Sequence, residues 1–348
     1  MYHDYFYLKN VSFPGELFQS IDNNTIRCLS CGHKCKILDK RSGICKVRYN
    51  ENGILYVPYN YVCSINFDPI EKKPFFHVYP GSITLSFGML GCNFKCSFCQ
   101  NWDISQFMRD AKAEGRIFKI TPDKIIELAK EKHIKIITST YNEPLITSEW
   151  SKKIFSIAKE FNIQGAYVSN GYASKEVINY LKGFVNFFKI DLKSFNDKNY
   201  KKIGGKLQNV LDSIEYIYKQ GIWIEIVTLL IPNYNDSDEE IKNIAGFIYN
   251  ISPDIPWHIT AFHPDYKMLD YKYTSSKDLI RAAKIGYNTG LKFVYTGNIP
   301  GGTENFENTY CPNCKKLLIE RSGFRILKNN IKNNICPNCS APIAGFWV

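Results

Sequence analysis

A chain of 348 residues with 45% hydrophobic side chains suits one large domain with appendages and has the apolar content of an ordinary globular protein. No run approaches the ~18 apolar residues that cross a bilayer, and MYHDYFYLKN has no basic start leading into an apolar stretch, so the expectation is a cytoplasmic protein with no membrane partner. The formal charge of +11 lies in two places, +6 over residues 27–48 and +5 over 311–348, and each stretch also holds four cysteines whose thiolates offset it, which leaves little support for a nucleic-acid partner.

The 12 cysteines, in a chain without an export signal, read as metal ligands and not as disulfides. Cys28, Cys31, Cys35 and Cys45 come first, with Gly32 and Gly43 permitting tight turns between them; the set suits a structural Zn²⁺ or an auxiliary iron–sulfur cluster. His33 lies inside this loop, but four thiolates complete a tetrahedron and make it a bystander. Cys63 stands apart and reads as a small buried apolar residue. After an alternating stretch at 54–61, residues 68–82 (DPIEKKPFFHVYPGS) carry prolines at 69, 74 and 80. These forbid a helix and predict an extended linker packed on the domain's surface.

From residue 83 onward strand-like and helix-like stretches alternate. Strands are predicted at 83–89, 134–140, 165–169, 185–191, 222–230 and 257–262, with a short seventh at 292–295. Helices are predicted at 122–132, 148–161, 174–182, 208–219 and 238–250. Thr121-Pro122 marks one helix start, and Ser148, Ser174 and Ser237 precede apolar periodicity as caps. Such alternation gives a parallel sheet with crossover helices. The expected fold is α/β, a partial (βα)6 TIM-like barrel; a complete eight-stranded barrel is the alternative, and the chain runs short of units for it. The expected organisation is an N-terminal segment with a four-cysteine module over 1–66, the partial barrel over 67–307, and a C-terminal zinc-ribbon-like module over 308–348.

Cys92, Cys96 and Cys99 follow the first strand at C-x3-C-x2-C spacing. Three thiolates in one short loop can hold three corners of a cubane iron–sulfur cluster and leave the fourth iron open for chemistry. A zinc knuckle with a remote fourth ligand is the alternative. Active sites of parallel barrels gather at the C-terminal ends of the strands. There the second strand runs into Asn142 and Glu143, the third into Ser169 and Asn170, the fourth into Asp191 and Lys193, and the sixth into His263. At the end of the chain, Cys311, Cys314, Cys336 and Cys339 form two CPNC knuckles 21 residues apart, a zinc ribbon or a rubredoxin-type iron site. The two charged four-cysteine segments bracket the barrel in sequence and are expected to form a docking or site-closing surface.

GCNFKCSFCQNW resembles the signature of radical S-adenosylmethionine enzymes. Residues 28–347 are similar to the radical member of the AmmeMemoRadiSam group, related to the activases of glycyl-radical enzymes such as pyruvate formate-lyase. The stretches that carry this are DPIEKKPFFHVYPGS, GCNFKCSFCQNWDISQ, TYNEP, VSNGY, KIDLKSF, FHPDYK, YTGN and the tail ending in GFW. The resemblance implies a 4Fe–4S cluster on Cys92, Cys96 and Cys99 that cleaves S-adenosylmethionine reductively to a 5′-deoxyadenosyl radical, which abstracts hydrogen from a substrate. It places Asn142 and Glu143 at the methionine amino group, where TYNEP departs from the activases' GGE by lacking both glycines. Ser169 and Asn170 match the stretch near the ribose, Asp191 and Lys193 an element lining the cofactor, Phe98 a backbone against the adenine, and His263 a cofactor-facing histidine. Implied partners are AMME-type and Memo-type proteins and an electron donor such as a flavodoxin or ferredoxin. Two other readings are an activase that installs a glycyl radical on a partner protein, and a non-catalytic zinc/iron–sulfur protein that binds nucleic acid.

Overall fold

The computed structural model describes residues 5–299 and 301–347, which leaves out the first four residues of the N-terminal decapeptide. They form two units: residues 5–67, 84–188 and 201–222 in the first, and 68–83, 189–200, 223–299 and 301–347 in the second.

The first unit is built on parallel strands β1 (Ile83–Gly88, all but its first residue), β2 (Ile136–Ser139) and β3 (Gln164–Ser169). β2 lies between the others, with Ser139 opposite Phe87 on one side and Tyr167 on the other. β1 and β2 are buried almost throughout, as continuous apolar runs in a covered parallel sheet should be. Helices α1 (Pro122–Glu131), α2 (Ser148–Glu160), α3 (Lys175–Leu181) and α4 (Leu207–Lys219) accompany them. The Thr121 hydroxyl accepts from Lys124 N and the Ser174 hydroxyl from Val177 N, as N-caps do. Ser148 is not a cap: a 3-10 turn over Pro144–Thr147 precedes it, and its hydroxyl donates back to Leu145 O at 2.7 Å. The N-terminal residues add small antiparallel pieces, among them Phe18–Ser20, Thr25–Cys28 and Lys36–Leu38 paired in that order.

β4 (Val185–Asp191) has residues in both units. The second unit continues with parallel strands β5 (Trp223–Leu230), β6 (Trp257–Ala261) and β7 (Val294–Gly297), where Ile226 faces Trp257 and Trp257 faces Val294. Helix α5 (Asp238–Ile251) is capped by Ser237. Helix α6 (Ser276–Thr289) has no counterpart among the predicted elements, although Ser275 and Asp278 form a capping box and Gly290 ends it at φ 109°. Three parallel strands in the first unit and three in the second are thus present, with Val185–Asp191 divided between the units, and no sheet among the described residues closes into a barrel.

The segment 68–82 is not a surface linker. Ile70, Phe75, His77 and Val78 have 0% exposure. The prolines do not exclude helical turns or pairing: the strand Ser64–Pro69 reaches into the segment, Ile70–Lys72 form a 3-10 turn, and Val78 bridges Phe346, while the N–H groups of Phe76 and His77 take a side-chain acceptor. Glu225 on β5 provides it: its carboxylate accepts from Phe76 N (2.9 Å), His77 N (3.0 Å) and His258 Nε2 (2.7 Å). His77 also bonds Tyr295 Oη at 2.7 Å and Ala344 O at 2.6 Å, and burial pushes its imidazole down to about 4. The tail's three-stranded sheet (Thr309–Tyr310, Leu317–Ser322, Arg325–Asn329) joins the same interior, where Leu318, Ile319, Ile343 and Trp347 cluster with Phe76, Phe293 and Tyr295.

Candidate functional site

In the first unit the chain leaves β1 through Gly91, whose φ of +91° suits glycine. It then folds the three-cysteine loop under a short helix, Trp102–Ser105. The Cys92 sulfur accepts from Phe94 N at 3.3 Å, and the Cys99 sulfur lies 3.2 Å from Ser105 Oγ. Arg109 fixes the loop's backbone by donating to Cys92 O (2.7 Å) and Phe94 O (3.0 Å). Burial, then the Glu143 carboxylate and the other two sulfurs, push the Cys92 thiol well up. Cys96 and Phe98 are buried, and Cys92 and Cys99 half-buried.

The loops after β2 and β3 converge on one carboxylate. Glu143 accepts from Ser169 Oγ (2.7 Å) and Leu145 N (3.0 Å) through one oxygen, and from Asn170 N (2.8 Å) through the other. The Asn142 amide oxygen accepts from Met89 N at 3.0 Å, and its nitrogen donates to Glu143 O at 3.4 Å. The Asn170 amide donates to Asn93 Oδ1 at 2.7 Å, which ties this cradle to the cysteine loop. All four of these predicted residues are buried. The structure therefore brings Cys92, Asn142, Glu143, Ser169 and Asn170 together within one unit.

In the second unit Asp191 lies between two lysines. Lys193 Nζ reaches it at 2.9 Å, Lys189 pairs with its other oxygen, and against the effect of burial these two ammoniums hold its carboxyl at about 2. His263 is exposed, with Nδ1 3.3 Å from Pro264 O.

The N-terminal four cysteines share one neighbourhood. Burial, then Cys28, Cys45 and Cys35, push the Cys31 thiol well up. In the tail, all four sulfurs lie within 4.8 Å of one another, with Cys311–Cys339 and Cys314–Cys336 at 3.6 Å. A tetrahedron of ~2.3 Å metal–sulfur bonds has edges of about 3.8 Å, so this set fits a four-coordinate thiolate site for either Zn²⁺ or iron. The three-cysteine loop also fits a metal group. The Cys92 thiol is costly to ionise without a cation, and the buried Asn93 Nδ2 beside it has no acceptor.

A profile of the radical SAM superfamily matches residues 88–245, the part that runs from the cysteine loop through Glu143, Ser169 and Asp191. An uncharacterized protein of Methanocaldococcus jannaschii, MJ0808, is 41% identical over 307 residues, covering 87% of this chain and 90% of that protein. The chain belongs to the radical SAM superfamily. This radical SAM enzyme is also 27% identical to the pyruvate formate-lyase-activating enzyme of Clostridium pasteurianum over 202 residues, 56% of this chain and 83% of that protein. Among solved structures, a domain of a pyruvate-formate lyase-activating enzyme from Bacteroides vulgatus is similar at 21% identity and a TM-score of 0.39, covering 46% of this chain and 98% of that domain. Membership in a superfamily of enzymes removes the reading of a non-catalytic nucleic-acid-binding protein. No helix among the described residues is long and apolar enough to cross a membrane.

Three residues of this site do not stand out in the sequence. Arg109, ten residues beyond the last cysteine, carries no motif that would mark it. Asn93 stands inside the motif but looks like a spacer. His33, set aside as a metal ligand, has a partner elsewhere: its Nε2 donates to Asn93 O at 3.0 Å. Its place beside two cysteines was the available signal.

Proposed function

We propose that this radical SAM enzyme holds a 4Fe–4S cluster on Cys92, Cys96 and Cys99 and binds S-adenosylmethionine beside it. Bound there, the cluster supplies the electron that splits the sulfonium and frees a 5′-deoxyadenosyl radical to abstract hydrogen from a substrate. The observation that carries this is the Glu143 carboxylate, buried next to the cysteine loop and oriented by Ser169 and Asn170. A carboxylate so fixed accepts a charge-assisted hydrogen bond from an ammonium, and its charge complements that of the methionine amino group. Asn142 ties the end of β1 to the loop that carries Glu143. Ser169 and Asn170 are assigned to the ribose side and the Phe98 backbone to the adenine. For Asp191, Lys193 and His263, in the other unit, the assignment rests on their motifs alone.

The specific reading is membership of the AmmeMemoRadiSam group, with AMME-type and Memo-type partners and a flavodoxin or ferredoxin as electron donor. It rests on the motif set that spans residues 28–347. The relatives named as activating enzymes favour a second reading, hydrogen abstraction from a partner protein. The two four-cysteine segments are assigned structural metals, Zn²⁺ first, and the three-module division at 66/67 and 307/308 goes with them. Anaerobic reconstitution with iron, sulfide and a reductant tests the core of this. The protein should release 5′-deoxyadenosine and methionine from S-adenosylmethionine, and Cys96→Ala should abolish the release. A reconstituted wild type that releases neither refutes it.

A further inference from the structure

The N-terminal four-cysteine segment touches every loop of the first unit that carries a proposed cluster or S-adenosylmethionine contact. To the loop after β2, Ser30 Oγ donates to Leu145 O at 2.5 Å, and Arg48 donates to Ile146 O at 3.1 Å while pairing with Glu149 at 2.7 Å. To the loop after β3, Gly32 N donates to Tyr172 O at 2.9 Å, and Leu29 O accepts from Ser174 Oγ at 2.5 Å. To the cysteine loop, His33 Nε2 donates to Asn93 O at 3.0 Å, with its ring 4.8 Å from that of Tyr172. Arg109 bridges the same two segments by donating to Ile44 O (2.5 Å) and Cys92 O (2.7 Å).

The targets matter more than the number of bonds. Leu145 is two residues from Glu143, Tyr172 two from Asn170, and Asn93 adjoins Cys92 and accepts from Asn170. The bonds from Ser30, Gly32 and His33 each end on a backbone carbonyl of a loop, which fixes where the loop lies and leaves the side chains of Leu145, Tyr172 and Asn93 out of the contact. A metal staple serving only its own segment would have no reason to address three separate loops at these positions.

We propose that segment 28–45 is a clamp that sets the mutual positions of the three loops, and that His33 is the positioning residue through which it holds the cluster loop against the Glu143 cradle. This rests on the proposed function. A metal on its four cysteines, as assigned above, would stiffen the segment, and the clamp gives that site a purpose beyond local stability.

The test uses the full chain, reconstituted anaerobically, with two variants. His33→Phe keeps the ring against Tyr172 and removes the N–H donor; His33→Gln restores a donor. Iron and sulfide content, the melting temperature, and the electron paramagnetic resonance spectrum of the reduced cluster during titration with S-adenosylmethionine are measured. The expected result is cluster content and melting temperature near wild type in both variants. S-adenosylmethionine binding should weaken about ten-fold in His33→Phe, as for a group that orients a binding residue, and recover most of that in His33→Gln. Equal binding by wild type and a cluster-loaded His33→Phe overturns the clamp alone. So does an equal loss in both variants, which marks a packing role. A wild type that holds the cluster and takes up no S-adenosylmethionine overturns the proposed function and the clamp together.

Discussion

Replacing Gly91 by alanine isolates the contact between the cysteine loop and the N-terminal segment. A Cβ built there would lie 2.6 Å from Val47 Cγ1 and 3.1 Å from Cys45 O. Val47 is fully buried and has no room to withdraw. The backbone at φ +91° adds a second cost, about 1–2 kcal/mol for an L side chain in left-handed space. Overpacking against a fixed neighbour contributes a further ~1–3 kcal/mol, for a total of about 3 kcal/mol. The two parts are separable. Val47→Ala removes the obstructing methyls, so in the double variant the steric part should be recovered and the backbone part should remain. A double-mutant cycle by guanidinium denaturation of the metal-loaded chain should then show a favourable coupling of about 1–2 kcal/mol. If Gly91→Ala is as stable as wild type, or Val47→Ala gives no recovery, the close approach is not what fixes this loop.

Glu143→Gln keeps the shape of the cradle and removes its charge; S-adenosylmethionine affinity should fall about ten- to a hundred-fold in equilibrium dialysis, and unchanged affinity would remove Glu143 from the amino-group role. His77 titrates at about 4 in the folded protein, against ~6.5 unfolded, because burial disfavours its charged form. Below pH 6.5 the unfolded chain takes up the proton first, so stability should fall between about pH 6.5 and pH 4, by about 3 kcal/mol at most from this group. The depressed carboxyl of Glu225 would extend the loss to lower pH as it too is forced to accept a proton. Melting curves at pH 7.5 and pH 5 check this, and equal midpoints would contradict it. If the four tail cysteines hold the metal proposed for them, chelation should lower the melting temperature by several degrees, because Cys311 and Cys336 lie in the same apolar cluster as Phe76 and Tyr295. Elemental analysis before and after chelation identifies the metal removed, and a tail metal lost without a shift in melting would show that the cluster folds without it.

Regular elements were legible where local rules govern them. The strand Val185–Asp191 has the bounds its sequence predicts, and Thr121, Ser174 and Ser237 cap their helices as their types require. Ser148 misled because a serine before an apolar run looks the same whether it caps a helix or follows a 3-10 turn. Segment 68–82 misled because proline reports backbone path and says nothing of depth. Its burial depends on Glu225, about 150 residues downstream, an acceptor that no window around the prolines contains. In the site, the residues whose chemistry is intrinsic, the cysteines and Glu143, stood out. Ser30, His33 and Arg109 act by meeting carbonyls of distant segments, and that pairing exists only once the chain is folded.

The bond from His77 to Ala344 joins residues 267 positions apart. At ~5–20 residues per second of synthesis, the segment around Phe75, Phe76 and Val78 leaves the ribosome on the order of ten seconds or more before its last partners exist. Throughout that interval its apolar side chains and unpaired amides are open to chaperones and to aggregation. The second unit is therefore sealed by residues made long after the segment that they cover.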